Sequence, residues 1–361
     1  MKNMKKYVII GSVVALILAM VLSPFLQGNQ NTSAEDAPMP ATFSFKENLA
    51  TKWDETIELE ILINQDDIEK LELIYNDSTF QSWTNPSKSI KYKFNAGFYG
   101  LGTRSVRLLS TLKDGSTYLD ERMVRVLSDV VPEIWIVESL KAYPHSPTSF
   151  TQGLEFDENQ LYEGTGQRGA SMVAQVDLTS GQVIKKIGLD GTYFGEGITI
   201  FGDEVFQLTW QEQKCFVYNK KTLELKKDLP YIGEGWGLCN DGTSLIMSDG
   251  SERITFRDPK TFQIQRTIEV YSHQGPVTYL NELEYIDDLI YANVWMTNKI
   301  AVIDPRNGKV LAEIDATALV KEGKGKGDVL NGIAANDGKI YLTGKNWIKL
   351  FEVKFRKPAD V

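Results

Sequence analysis

A glutamate held between glycines occurs twice in close succession, as Phe194-Gly195-Glu196-Gly197 and as Gly233-Glu234-Gly235-Trp236-Gly237-Leu238. Glycine lacks a Cβ, so a carboxylate flanked by two of them sits where backbone must approach something closely. Three more polar-plus-small segments stand at comparable places: Phe150-Thr151-Gln152-Gly153-Leu154, Leu280-Asn281-Glu282-Leu283 and Leu330-Asn331-Gly332-Ile333. As strand starts aimed at one axis, they would gather Gln152, Glu196, Trp236 with Glu234, Asn281 and Asn331. Trp210, Trp295 and Lys345 fall at matching places on second strands. Singly, each has a plainer reading: tryptophans pack sheet against sheet, strand-start amides cap turns, and a lysine faces solvent. Together they describe an aromatic-walled pocket with carboxamide-binding groups and one carboxylate. Such a pocket suits a small substrate bearing an amine and an amide, the carboxylate pairing with the ammonium or moving its proton.

What must position these residues is an internal repeat. Gly153, Gly197, Gly237, Leu283 and Gly332 begin units roughly 40 to 50 residues apart, each reading as short strands separated by turns. Four units pass through a turn at Thr179-Ser-Gly, Lys220-Lys-Thr, Pro259-Lys-Thr or Pro305-Arg-Asn-Gly into an outer strand. Period and strand count match β-propeller blades. The fifth unit, ending at Leu350–Phe355, is one strand short, and Ile134–Leu140 has the character of an outer strand. The expectation is a five-bladed propeller over 134–357, closed by pairing Ile134–Leu140 beside the C-terminal strand, which removes free sheet edges.

Ahead of it, residues 41–130 alternate in short runs (Thr42–Phe45, Thr56–Leu62, Lys70–Tyr75, Ser89–Phe94, Thr103–Leu112, Tyr118–Leu127) divided by turn formers. They predict an immunoglobulin-like β-sandwich without a cysteine pair. Residues 27–40 read as a linker. Residues 1–26 place Lys2, Lys5 and Lys6 before an apolar run from Tyr7 to Leu22, as in a signal peptide or signal-anchor. This predicts an exported chain, periplasmic or cell-envelope associated, touching membrane only through that segment.

Composition narrows the chemistry. A net charge of −9 and a pI near 5.0, with no basic patch, speak against a nucleic-acid partner. With only His145 and His273, and no HExxH or CxxC spacing, neither a Ser-His-Asp arrangement nor a catalytic metal is expected. A structural ion bound by channel carbonyls stays open, since it leaves no sequence signature. Cys215 and Cys239 leave open a disulfide or two buried free thiols.

These segments carry a resemblance. Phe150-Thr-Gln-Gly-Leu, Leu161-Tyr-Glu-Gly-Thr-Gly, Phe194-Gly-Glu-Gly, Leu208-Thr-Trp, Gly233-Glu-Gly-Trp-Gly-Leu, Leu245-Ile-Met-Ser-Asp-Gly-Ser, Leu280-Asn-Glu-Leu-Glu, Asn293-Val-Trp, Val329-Leu-Asn-Gly-Ile and Thr343-Gly-Lys resemble, in order, the glutaminyl-peptide cyclotransferases of plant and bacterial type. The match runs from about Tyr143 to Phe355, and residues before about 130 lie outside it. Gly164 for Ser, Cys239 for Thr and Ile348 for Pro are departures that leave the acid untouched.

The resemblance implies cyclisation of N-terminal glutamine to pyroglutamate with loss of ammonia, without a catalytic zinc or any required cofactor. It implies Glu196 as acid/base, and Phe150, Gln152, Phe194, Trp210, Trp236, Asn281, Trp295 and Lys345 around the substrate. The partners implied are peptides or proteins beginning with glutamine, met by a monomer. The rival expectation is a non-catalytic propeller that binds peptides or glycans at the cell envelope with the same aromatic mouth.

Overall fold

In a computed structural model the described residues are 39–45 and 49–358. The predicted leader and the linker as far as residue 38 lie outside them. The described chain is all-β apart from one short helix, Thr317–Gly323, and a 3-10 turn, Ala96–Tyr99.

The first 90 or so described residues build two sheets that share one core. One sheet orders Ala41–Phe43, Thr56–Ile63 and Ile90–Asn95; the other orders Leu49–Lys52, Thr117–Leu127, Gly102–Leu112, Ile68–Tyr75 and Ser78–Thr84. Period-2 alternation does the work: Leu71, Leu73 and Tyr75 point inward from one strand to meet Leu59, Ile61, Val106, Leu108, Val124 and Val126. The six runs read from sequence all form strands. Two more were missed. Ser78–Thr84 has no buried residue and hangs on an edge, and Leu49–Lys52 is short and joins its neighbour in parallel. Tyr271, from the second half of the chain, completes this core, and Arg104 pairs with Glu269 (3.1 Å) beside it.

The second half is a succession of antiparallel meanders. Sheet I holds Thr151–Asp157, Gln160–Thr165, Met172–Val176 and Val183–Gly188; sheet II holds Gly195–Phe201, Glu204–Thr209, Lys214–Asn219 and Leu225–Pro230. Sheet III holds Leu238–Asn240, Leu245–Ser248, Arg253–Arg257 and Ile264–Glu269; sheet IV holds Leu280–Ile286, Leu289–Val294, Lys299–Ile303 and Val310–Asp315. Sheet V holds Leu330–Asn336, Lys339–Gly344 and Lys349–Arg356. The turn into each fourth strand of sheets I–IV is made by Asp or Asn, whose side chain accepts a nearby backbone N–H: Asp177 from Ser180 (2.7 Å), Asn219 from Thr222 (2.9 Å), Asp258 from Thr261 (2.8 Å), Asp304 from Arg306 (2.9 Å).

Burial falls outward along sheets I–III. Gly195–Phe201 is buried on both faces, whereas Val183–Gly188 and Leu225–Pro230 are largely exposed. The five inner strands adjoin one another in a cycle, I to II to III to IV to V and back to I. Glycine permits that approach: a Cβ on Gly197 would lie 2.5 Å from the Leu238 nitrogen, and one on Gly237 only 1.9 Å from the Asn281 carbonyl oxygen.

Glu133–Pro144, longer than the predicted Ile134–Leu140, pairs antiparallel with Lys349–Arg356, from Ile136 opposite Arg356 to Pro144 opposite Lys349. This is the closure read from the sequence. Its first residues, Glu133–Ile136, also run parallel to Ala312–Asp315, so sheets IV and V merge into one eight-stranded sheet. The arrangement is propeller-like.

Candidate active site

The polar candidates sit where the inner strands step out of register. In sheet I, Thr151 faces Thr165 and Gly153 faces Gly164, which leaves Gln152 as the extra residue. Comparable slips fall between Gly195 and Ile198, between Leu280 and Leu283, and between Leu330 and Ile333. They contain Glu196, Asn281 and Asn331. A β-bulge frees one residue from the ladder and re-aims its side chain. Four such bulges at the same end of four inner strands explain how these polar groups become buried yet leave the pairing of their own strands.

Those groups form a chain. Asn331 Nδ2 donates to Gln152 Oε1 (3.0 Å) and to the Thr151 carbonyl (2.9 Å), and Gln152 Nε2 donates to Glu196 Oε1 (2.9 Å). Glu196 Oε2, Asn281 Oδ1 and Asn331 Oδ1 are buried acceptors without a partner among the described residues. Buried polar atoms are nearly always satisfied, so three unpaired acceptors set this region apart.

Rings wall the site. Phe150 meets Phe194 edge-on (6.1 Å between centroids), Phe194 meets Trp210 (5.8 Å), and Trp236 stands perpendicular to Trp295 (5.5 Å). Glu234 joins the two arcs, for its Oε2 accepts from the indole nitrogens of both Trp210 (2.8 Å) and Trp236 (3.0 Å). The ammonium of Lys345 lies 4.9 Å from the centre of the Phe150 ring. Eight of the nine residues named from sequence therefore flank the bulges or occupy them, while Trp236 precedes the unbulged inner strand of sheet III and accepts from the Gly197 N–H (2.8 Å) through its carbonyl. Asn281 touches this set through backbone, its carbonyl accepting from Ser248 Oγ (2.8 Å) beside Gly237.

Burial pushes the Glu196 carboxyl well above its ordinary range; Lys345 opposes the rise, while Glu234 and Glu212 add to it. Burial likewise lowers Lys345, against the pull of Glu196 and Asp328. The carboxyl and the amine are thus drawn toward each other's range.

Deeper in the channel, Glu282 accepts from the backbone of Leu154 (3.2 Å) and Ile333 (2.8 Å), Glu284 from Ala335 (3.0 Å) and Glu155 from Ile200 (3.0 Å). Each carboxylate thus ties its strand to a neighbouring sheet. Burial raises all three, Glu155 to about 8. Among the described residues no three His, Cys, Asp or Glu side chains are grouped to hold a metal ion. Cys215 and Cys239 are both free buried thiols, which settles the choice the sequence left open.

One cluster was missed by sequence reasoning, that around His145. Its Nε2 meets Glu163 Oε1 (3.0 Å) and its Nδ1 meets the Trp347 carbonyl (2.8 Å). The Trp347 carbonyl can only accept, so Nδ1 carries a proton. Glu163 also accepts from Ser149 Oγ (3.1 Å) and Thr151 Oγ1 (2.7 Å), the residues on either side of Phe150. Burial penalises both charges, but their attraction and the hydrogen bonds outweigh it, holding Glu163 below and His145 above their usual values. The pair therefore stabilises most between the usual carboxylate and imidazole values, and less as pH falls through the lowered Glu163 or rises through the raised His145. Glu163→Gln should cost about 1.5–3 kcal/mol of stability at pH 6. An unchanged urea midpoint would show that the pair is idle. The Leu161-Tyr-Glu segment was noted in sequence, but nothing local signals a partner 18 residues away.

Comparison with known proteins agrees with this geometry. The chain is 39% identical over 231 residues to the glutaminyl-peptide cyclotransferase of Arabidopsis thaliana, covering 62% of this chain and 72% of that one. The crystal structure of Myxococcus xanthus glutaminyl cyclase superposes with a TM-score of 0.59 at 36% identity, covering 62% of this chain and 98% of that one. The family model described as glutamine cyclotransferase matches residues 107–355. With more than half its length matched, the chain belongs to the glutamine cyclotransferase family.

Proposed function

We propose that the bulge-borne carboxylate Glu196 is the acid/base of a glutaminyl-peptide cyclotransferase that converts N-terminal glutamine to pyroglutamate and releases ammonia. The observation that carries the assignment is the state of Glu196: one oxygen held by Gln152, the other buried and unpartnered. The substrate's α-amine attacks its own γ-carboxamide carbon. Glu196 takes a proton from the attacking nitrogen and passes it to the amide nitrogen; the C–N bond to that nitrogen breaks and ammonia leaves a five-membered lactam. Since the reaction is intramolecular, the pocket's main task is to hold the folded conformer. Phe150, Phe194, Trp210, Trp236 and Trp295 enclose the glutamine side chain and exclude water. The free oxygens of Asn281 and Asn331 accept N–H groups of the substrate. Gln152 spends an amide proton on Glu196, so Lys345 is the better donor to the tetrahedral oxyanion.

The five meanders are five propeller blades in this reading, with Glu133–Pro144 as the fourth strand of the last, and residues 41–130 are an immunoglobulin-like sandwich. Residues 1–26 direct export, and the enzyme works as a monomer. Family membership speaks against the non-catalytic binding reading. Incubation with a Gln-initiated peptide tests the reaction: the product should be lighter by one ammonia. A peptide that binds without losing mass would restore the binding reading.

No metal takes part in these steps. Activity should survive prolonged dialysis against a zinc chelator, and a loss restored by added zinc would overturn that.

A further inference from the structure

A pocket that takes a glutamine by its amine must leave the rest of the peptide outside. The α-amine and the side chain are consumed in ring formation, so the substrate's own carbonyl and its following residues leave through the mouth. The turns at that end of the sheets are where the second residue arrives.

Three of those turns hold large apolar side chains out in solvent. Ile232 is 91% exposed, Met296 68% and Tyr279 54%. Single exposed apolar residues are ordinary, but Tyr279 and Met296 both adjoin the pocket ring Trp295. Ile232 lies two residues before Glu234, which holds the Trp236 indole. Tyr279 packs on Trp295 (6.0 Å), and Met296 follows Trp295 directly. Turn positions of this kind normally go to polar residues and glycine.

The backbone adds an independent observation. Tyr279 and Met296 adopt φ of 61° and 65°, the left-handed region that bulky residues seldom enter. Glycine or asparagine would fit both places with less strain. Strain kept at the edge of a site points to use of the side chain it displays.

Behind Tyr279 a cleft of about 420 Å³ opens along sheet IV, with Val277, Val294 and Ile300 among its apolar lining and Thr278 and Thr297 among its polar lining. Tyr279 and Val294 line this cleft while Trp295 lines the glutamine pocket, so the two share a wall. The size is that of a ligand pocket, commonly about 300–1,000 Å³.

We propose that Tyr279 and Met296 receive a large apolar side chain on the residue after the glutamine, and that the peptide then runs into the cleft beside sheet IV. The preferred substrates are peptides beginning Gln-Phe or Gln-Leu. This inference rests on the cyclotransferase reading.

The test compares the full chain on Gln-Phe-Ala-amide, Gln-Gly-Ala-amide and glutamine amide. Wild type should favour Gln-Phe over Gln-Gly by about tenfold in kcat/KM, through KM, as a hydrophobic contact of this size allows. Tyr279→Asn with Met296→Asn keeps residues at home in the left-handed region, so the fold is retained. This variant should bring the ratio to about one while glutamine amide turns over as in wild type. Equal kcat/KM for the two peptides in wild type, or an undiminished preference in the double variant, would overturn the inference. Turnover of glutamine amide without such a preference leaves the enzymatic reading standing alone. No turnover of any of the three removes both.

Discussion

Glu196→Gln is expected to lower the rate of glutamine cyclisation by about 10²–10⁴, the range a positioned general base contributes. The substitution keeps the shape of the side chain and removes only its ability to take a proton. Stability should respond in the opposite sense. A carboxyl whose folded pKa is raised by burial favours the folded state when protonated and opposes it as pH rises past its unfolded value. At pH 8 the glutamine variant should therefore melt at the same temperature as wild type or higher. Activity that collapses while the melting point holds or climbs is the signature of a group kept for chemistry at a cost to the fold. Near-normal turnover would take the proton transfer away from Glu196, and a fall in melting temperature would make the lost activity a folding effect.

Lys345→Met should reduce kcat by about 10²–10³, the usual consequence of deleting one oxyanion donor. The pH profile separates this role from simple packing. Lys345 is the group that holds the Glu196 carboxyl down against burial. Without the ammonium, Glu196 rises further, and the acid limb of kcat/KM must move to higher pH. A methionine that merely left a gap would lower the rate with the limb in place. That outcome, or an unchanged rate, would remove Lys345 from the mechanism. An ammonium over the Phe150 ring also links the aromatic wall to the charge balance of the site.

The sequence was legible where local chemistry repeats. Asp177, Asn219, Asp258 and Asp304 sit in turns of one kind, and the glycines at 197 and 237 recur because inner strands touch there. Hence the meanders and their order could be read in advance. The bulges could not, since one extra residue at a strand start leaves the hydrophobic pattern intact. Neither could the His145–Glu163 pair, which sets a residue of the loop after Glu133–Pro144 against one inside the strand Gln160–Thr165. Ser78–Thr84 escaped because its two large apolar residues, Phe80 and Trp83, fall three apart, off the two-residue period of a strand. The rim residues Tyr279 and Met296 escaped for another reason: a left-handed φ at a bulky side chain contradicts propensity, and only coordinates reveal it.

The strand Glu133–Pro144 has a consequence for how this molecule is born. Its two neighbours, Ala312–Asp315 and Lys349–Arg356, are synthesised long after it. During synthesis it must wait unpaired until Lys349–Arg356 emerges. Folding is thereby tied to synthesis of that strand. A copy cut short by even its last strand would keep two sticky borders open to other chains, so a truncated product is marked for clumping and removal rather than for partial activity.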